Sequence, residues 1–148
     1  MKIITGDLLM LAKQGKFDVI VHGCNCHCTM GAGIAKSIKQ QFPEAYAADC
    51  QTEKGSKAKM GTYSKAKIEQ VTVINAYTQF NWRGKGCLVY YEAVRQVFRA
   101  IKKDFSGKKI GYPLIGAGLA GGDWEIIAKI IDEELAGENH TLVKFTGR

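Results

Sequence analysis

Twice along this chain an apolar, strand-like run passes through a glycine-rich loop into a helix-like run. The first runs from Asp18 to His22 (DVIVH), through Gly23 to Gly33, into Ile34 to Phe42. The second runs from Lys108 to Pro113, through Ile115 to Gly122, into a helix that Asp123 is placed to cap. A short strand with a continuous apolar centre is the pattern of a strand covered on both faces. Strands interleaved with helices build a mainly parallel or mixed sheet between helical layers. The predicted fold class is therefore α/β, a three-layer α/β/α arrangement with a mixed central sheet.

The remaining segments agree with that class. Met1 to Thr5 reads as a short strand. Pro43 ends the helix before it and is suited to start another, through about Thr52. Gly61 to Lys67 and Val71 to Ala76 read as two strands joined by a tight polar turn near Glu69. Leu88 to Phe105 carries the clearest helical stripe, with Tyr91, Val94, Phe98, Ile101 and Phe105 on one face. The helix capped by Asp123 runs to about Ala136 and stops at Gly137. Thr141 to Phe145 closes the sequence as a strand. With 148 residues and no linker or repeat, residues 1–148 are expected to form a single domain.

Charge and cysteines bound the function classes. The formal charge of +7 suits an anionic ligand. The lysines are scattered and no aromatic residues are interleaved with them in a stacking pattern, so a nucleic-acid face is possible but not favoured. No run is long enough to span a bilayer, and the N-terminus lacks the signal-peptide pattern, so no membrane role and a cytoplasmic location are expected. Five cysteines without a secretory signal read as free thiols. Cys24, Cys26 and Cys28 alternate, with no second C-x2-C pair to complete a zinc site, so no metal is expected.

The two glycine loops are the candidate site. Glycine lets the backbone approach a ligand closely, and a helix start presents free N–H groups and a positive dipole end to a phosphate. Two such loops at the carboxyl ends of strands, on one sheet edge, are placed to hold two linked phosphates. Neither loop matches G-x-x-x-x-G-K-[ST], nor the order G-x-G-x-x-G, so P-loop and dinucleotide-binding Rossmann sites are not supported.

Three segments resemble the macro domain family: Ile4-Thr5-Gly6-Asp7-Leu8, the stretch from Val21 to Ala35 with its Asn before a G-x-G-[IV] loop, and Pro113 to Gly118. The wording Cys-Asn-Cys and Met-Gly-Ala-Gly-Ile-Ala is similar to the branch with ADP-ribose-1''-phosphate phosphatases and ADP-ribosyl hydrolases. The resemblance implies a macro-domain-like fold that binds ADP-ribose or ADP-ribose-1''-phosphate without a cofactor. It implies an adenine contact at Asp7 with Leu8 beside it, and a distal-ribose contact at Asn25. Gly31, Ala32, Gly33 and Ile34 would form one phosphate cradle, and Gly116, Ala117, Gly118, Leu119 and Ala120 the other. Phe145 would stack on adenine or sit in the core; Asp7 has a turn or cap role as its alternative.

The implied activity divides the branch. Related ADP-ribosyl hydrolases use a lysine after the central strand or an acid in the second glycine loop. Here Asn75 to Trp82 contains no lysine, and Ala120 stands where the acid is expected. Both departures count against deglycohydrolysis of protein or DNA. Phosphate-ester hydrolysis remains, with His22, Asn25 and His27 as candidate catalytic residues, since imidazoles near neutral pH serve as acid or base. The alternatives are a buried His22 and an exposed loop His27, with Asp123 either capping a helix or positioning water. A non-catalytic ADP-ribose-binding module is the competing reading.

Overall fold

A computed structural model describes residues 1–82, 84, 86–118 and 120–145. Its elements are β1 (Lys2–Gly6), α1 (Leu8–Lys13), β2 (Val19–Cys24), α2 (Gly33–Gln41), α3 (Pro43–Cys50), β3 (Tyr63–Ile68), β4 (Val71–Tyr77), α4 (Tyr91–Phe105), β5 (Ile110–Tyr112), α5 (Trp124–Glu134) and β6 (His140–Phe145). The strands form one sheet in the order β1-β6-β5-β2-β4-β3. Every pair is parallel except β3 with β4, a hairpin whose turn residue Glu69 has φ 55. This is the mixed sheet expected from the alternation of strands and helices.

The apolar strands are buried on both sides, which is why β2 reads as a continuous run. Val19 and Val21 pack with α4 and α5, through Val94, Phe98, Ile127 and Ile131. Ile20 and Cys24 pack on the opposite face with α1, α2 and α3, through Leu8, Ile38 and Ala45. The three-layer architecture follows directly from this alternation. No helix among the described residues is long and apolar enough to cross a membrane.

Some local expectations shift. Helix α1 is additional: Asp7 caps it by accepting from the Leu9 and Met10 N–H groups, at 3.0 and 3.1 Å. Helix α4 starts at Tyr91 rather than Leu88, because Val89 forms a bridge with Gln79 and Leu88 N–H donates to Ala120 O at 2.6 Å. Those residues close the second glycine loop instead of extending the helix. Asp123 caps α5 through a 2.9 Å bond from Glu125 N–H, which is the capping alternative.

Candidate functional site

Five strands deliver loops to one end of the sheet, with Gln79 and Trp82 following β4, and the loops enclose a cleft of about 1020 Å³. Asp7 and Leu8 follow β1, Asn25 to Ile34 follow β2, Leu114 to Ala120 follow β5, and Phe145 ends β6. The cleft thus stands where an open α/β sheet places a ligand. Of the expected binding residues, Asp7, Leu8, Asn25, Gly31, Ala32, Gly33, Ile34, Gly116, Gly118, Ala120 and Phe145 line it. Ala117 does not; it packs against the α4–α5 core. Leu119 lies outside the described residues. Phe145 is 62% exposed, so the core alternative for this ring is set aside.

The glycines divide into two kinds. A Cβ on Gly31 or Gly118 would meet nothing within 4 Å, so these positions leave the cleft open. Gly121 and Gly122 instead serve the packing of the loop itself, and Gly116 both packs and lines the cleft. Gly116 has φ +72, and a Cβ on Gly122 would stand 2.6 Å from Gly116 O and 2.5 Å from Val89 Cγ1. Helix α2 opens on Gly33 with φ 59, and its N-cap Ala32 supplies no side-chain acceptor. Its first N–H groups therefore remain for an anion in the cleft.

Asn25 fixes the first loop from within. Its amide donates to Thr29 Oγ1 at 2.7 Å, and its oxygen accepts from His27 N–H at 2.7 Å. Cys28 and Met30 take positive φ of 58 and 41 to carry the chain around this turn. Met30 is buried beneath it.

Neither candidate histidine enters the cleft. His22 is 1% exposed, on the β2 face shared with Ile20 and Cys24, and bonds Asn75 Oδ1 at 2.7 Å. Burial, partly offset by the Asn75 bond, lowers its pKa to about 4, so the imidazole is neutral. It is the buried alternative and does not line the cleft. His27 turns the other way, edge-on to Phe80 and Trp82 at 4.7 and 5.1 Å between ring centroids. The aromatic contacts hold it behind the loop rather than beside Asn25's cleft face. Burial also pushes the Cys24 and Cys26 thiols up, so neither is a ready thiolate. No group of three or more metal-ligating side chains exists among the described residues.

One acidic residue enters the cleft wall from an unexpected place. Asp49, on α3, is 1% exposed, and its Oδ2 has no hydrogen-bond partner. The sequence signal for it was an acid four residues after Ala45 on the helix's buried stripe. Tyr77 OH donates to Asp49 Oδ1 at 2.7 Å, and Cys28 Sγ–H donates to the Asp49 main-chain oxygen at 3.1 Å. The described cleft is therefore a glycine-walled trough with one acid at each end, Asp7 beyond β1 and Asp49 beside β4, and with Lys36 of α2 on its lining.

Known proteins resemble this chain in sequence and fold. The chain is 36% identical over 140 residues to an uncharacterized 17.5 kDa protein of Enterobacteria phage T4, covering 88% of this chain and 87% of that one. It is 24% identical to a DNA ADP-ribosyl glycohydrolase of Thermus aquaticus, over 91% of this chain but 38% of that protein. A 43-residue segment is 42% identical to an ADP-ribose 1''-phosphate phosphatase of Meyerozyma guilliermondii, covering 29% of this chain and 24% of that one. Among solved structures, a Bacteroides thetaiotaomicron protein of unknown function superposes with a TM-score of 0.80 at 25% identity, covering 97% of this chain and 98% of that one. Thermosipho africanus DarTG, solved in complex with ADP-ribose, superposes with a TM-score of 0.76 at 20% identity, covering 98% of this chain and 41% of that one. The macro domain family pattern itself matches residues 21–131, the span from β2 through both glycine loops into α5. With that match laid over a mixed six-stranded sheet and a double-glycine cleft, the chain belongs to the macro domain family.

Proposed function

We propose that this macro domain binds ADP-ribose in the cleft and hydrolyses ADP-ribose-1''-phosphate to ADP-ribose and phosphate. The observation that carries the reading is the convergence of the two glycine loops, with Gly31 and Gly118 leaving open space, on one cleft. In this reading Gly31 to Ile34 cradle one phosphate and Gly116, Gly118 and Ala120 the other. Asp7 uses the carboxylate oxygen not spent on capping α1 to accept from the adenine amino group, beside Leu8. Phe145, exposed at the end of β6, stacks on the base. Asn25 meets the distal ribose, having one amide proton and acceptor capacity left after its loop bonds. The Thermosipho protein solved with ADP-ribose supports the ligand, and the segment like the Meyerozyma phosphatase supports the ester.

Calorimetry with ADP-ribose tests the binding half. Affinity in the micromolar range, about 8 kcal/mol, is expected. No measurable binding at millimolar ADP-ribose would end the reading. Phosphate release from ADP-ribose-1''-phosphate tests the hydrolytic half; binding without release would leave a non-catalytic module. A second reading, removal of ADP-ribose from nucleic acid, draws on the net charge of +7 and the likeness to the Thermus glycohydrolase over 91% of the chain. Release of ADP-ribose from a modified oligonucleotide, steeply weakened by salt, would favour it over the phosphatase.

A further inference from the structure

Neither candidate histidine lines the cleft, which holds one buried acid without an assigned role. Strand order fixes which end of the ligand it meets. Asp7 and Phe145 stand at β1 and β6, whereas Asp49 is tied to Tyr77, the last residue of β4. Four inter-strand spacings separate β1 from β4, about 19 Å. A ligand with its adenine at Asp7 and its diphosphate on the central loops therefore presents its 1'' end on the side of Asp49. Asn25, the distal-ribose residue of that reading, lies on the same side; its loop is held to Asp49 through Cys28.

A chain of hydrogen bonds leads to this carboxyl from inside the sheet. Asn75 Nδ2 donates to Ala45 O at 2.9 Å and to Ser64 Oγ at 3.0 Å, so its amide nitrogen is fixed and its oxygen must accept from His22 Nε2–H. Ser64 and Tyr77 hydroxyls lie 2.7 Å apart, and Tyr77 donates to Asp49. Since Tyr77 spends its proton on Asp49, Ser64 donates to Tyr77. Every link then runs the same way: His22 to Asn75, Asn75 to Ser64, Ser64 to Tyr77, Tyr77 to Asp49 Oδ1. Aligned bonds of this kind polarise one another. The chain consumes Oδ1 as an acceptor and leaves Oδ2, buried and without a partner, as the oxygen open to a proton.

We propose that Asp49 is the proton donor to the leaving oxygen of the 1''-ester, and that His22, Asn75, Ser64 and Tyr77 are positioning residues that hold it. The role rests on the hydrolytic reading above. In the step, a water oxygen bonds to phosphorus as the bond from phosphorus to the C1'' oxygen breaks. The Oδ2 proton passes to that departing oxygen, and a proton of the attacking water restores Asp49. The sum is ester plus water giving ADP-ribose plus phosphate.

Burial raises the Asp49 pKa, against the lowering bond from Tyr77, the charge of Lys59 and the contact with Cys28, which keeps a proton available further toward neutral pH. The titratable groups around it are Lys59, Tyr77, the loop thiols Cys24, Cys26 and Cys28, and Tyr46 and Cys50 on its own helix. Turnover is therefore expected to fall as pH rises through the Asp49 titration. Tyr77→Phe removes a bond that lowers this pKa, and should move that falling limb to higher pH.

The experiment measures phosphate release from ADP-ribose-1''-phosphate and ADP-ribose affinity for the unaltered chain, Asp49→Asn and Tyr77→Phe. Asp49→Asn should lose about 100-fold or more in kcat while ADP-ribose affinity stays within about threefold. Release by the unaltered chain together with undiminished release by Asp49→Asn would overturn the role of Asp49 and leave the phosphatase reading intact. No release by the unaltered chain would overturn both. If Asp49→Asn does not fold, Tyr77→Phe decides: an upward shift of the alkaline limb supports the assignment, and an unmoved limb overturns it.

Discussion

At His22 the imidazole gives its Nε2 proton to Asn75, and its Nδ1 lies 3.7 Å from the Cys24 sulfur. Its folded pKa of about 4 lies below the usual 6.5. The unfolded chain takes up that proton near 6.5, while the folded chain resists until about 4. The stability His22 contributes is thus fully present above pH 6.5 and is lost as pH falls from 6.5 toward 4. By pH 5 the loss from this one group is about 2 kcal/mol. Urea unfolding at pH 7.5 and pH 5 should show the unaltered chain losing about that much more stability than His22→Gln, which removes the titration but keeps a donor for Asn75. Equal pH dependence in the two proteins would contradict a neutral, buried His22. The buried His140, also lowered by burial, titrates in both and cancels from the comparison.

The glycine loops make the element-scale case, because adjacent glycines do different work. Gly31→Ala adds a methyl to open space at a position with no positive φ, so the protein should fold normally. The same methyl occupies the cleft, so ADP-ribose affinity should drop about tenfold or more, roughly 1.4 kcal/mol. Gly122→Ala collides with Gly116 O and Val89, and should destabilise the fold by about 1–3 kcal/mol before any question of binding arises. Thermal melts and calorimetry on the pair would separate the two effects; a destabilised Gly31→Ala with normal affinity would refute the division. Elements of this kind were legible in the sequence because their signals are local. A strand, a glycine loop and a helix period stand within some twenty residues of one another, as from Asp18 to Phe42. Helix α1 was not, since six residues of LLMLAK are too few to display a helical period. The start of α4 was misread because Leu88 and Val89 are apolar for the sake of the second loop. The site followed the same rule. Asn25 and the glycines were readable from their neighbours in the chain. His22, His27 and Asp49 were not, because their roles depend on Asn75, Phe80 and Tyr77, which lie 53, 53 and 28 residues away.

For the whole molecule the decisive fact is that the cleft crosses the sheet rather than running along one loop. Its walls come from the ends of β1, β2, β4, β5 and β6, with α3 closing the side near β4. A ligand that fills it ties the edge strand β1 to the middle of the sheet, and so acts against unfolding as a whole. A ligand bound only to the folded state at 100 times its Kd adds about 2.7 kcal/mol. For a chain of 148 residues that corresponds to an increase in Tm of about 5–10 °C. ADP-ribose should produce that shift. AMP and ribose 5-phosphate, tested at the same concentration, each reach only one part of the cleft, and each should produce less than about a third of it. AMP equalling ADP-ribose would mean that the Asp7 and Phe145 end alone binds, with Asn25 and Asp49 outside the ligand's reach. A graded response, greatest for the full-length ligand, is what the proposed recognition at β1 and the proposed chemistry beside β4 require.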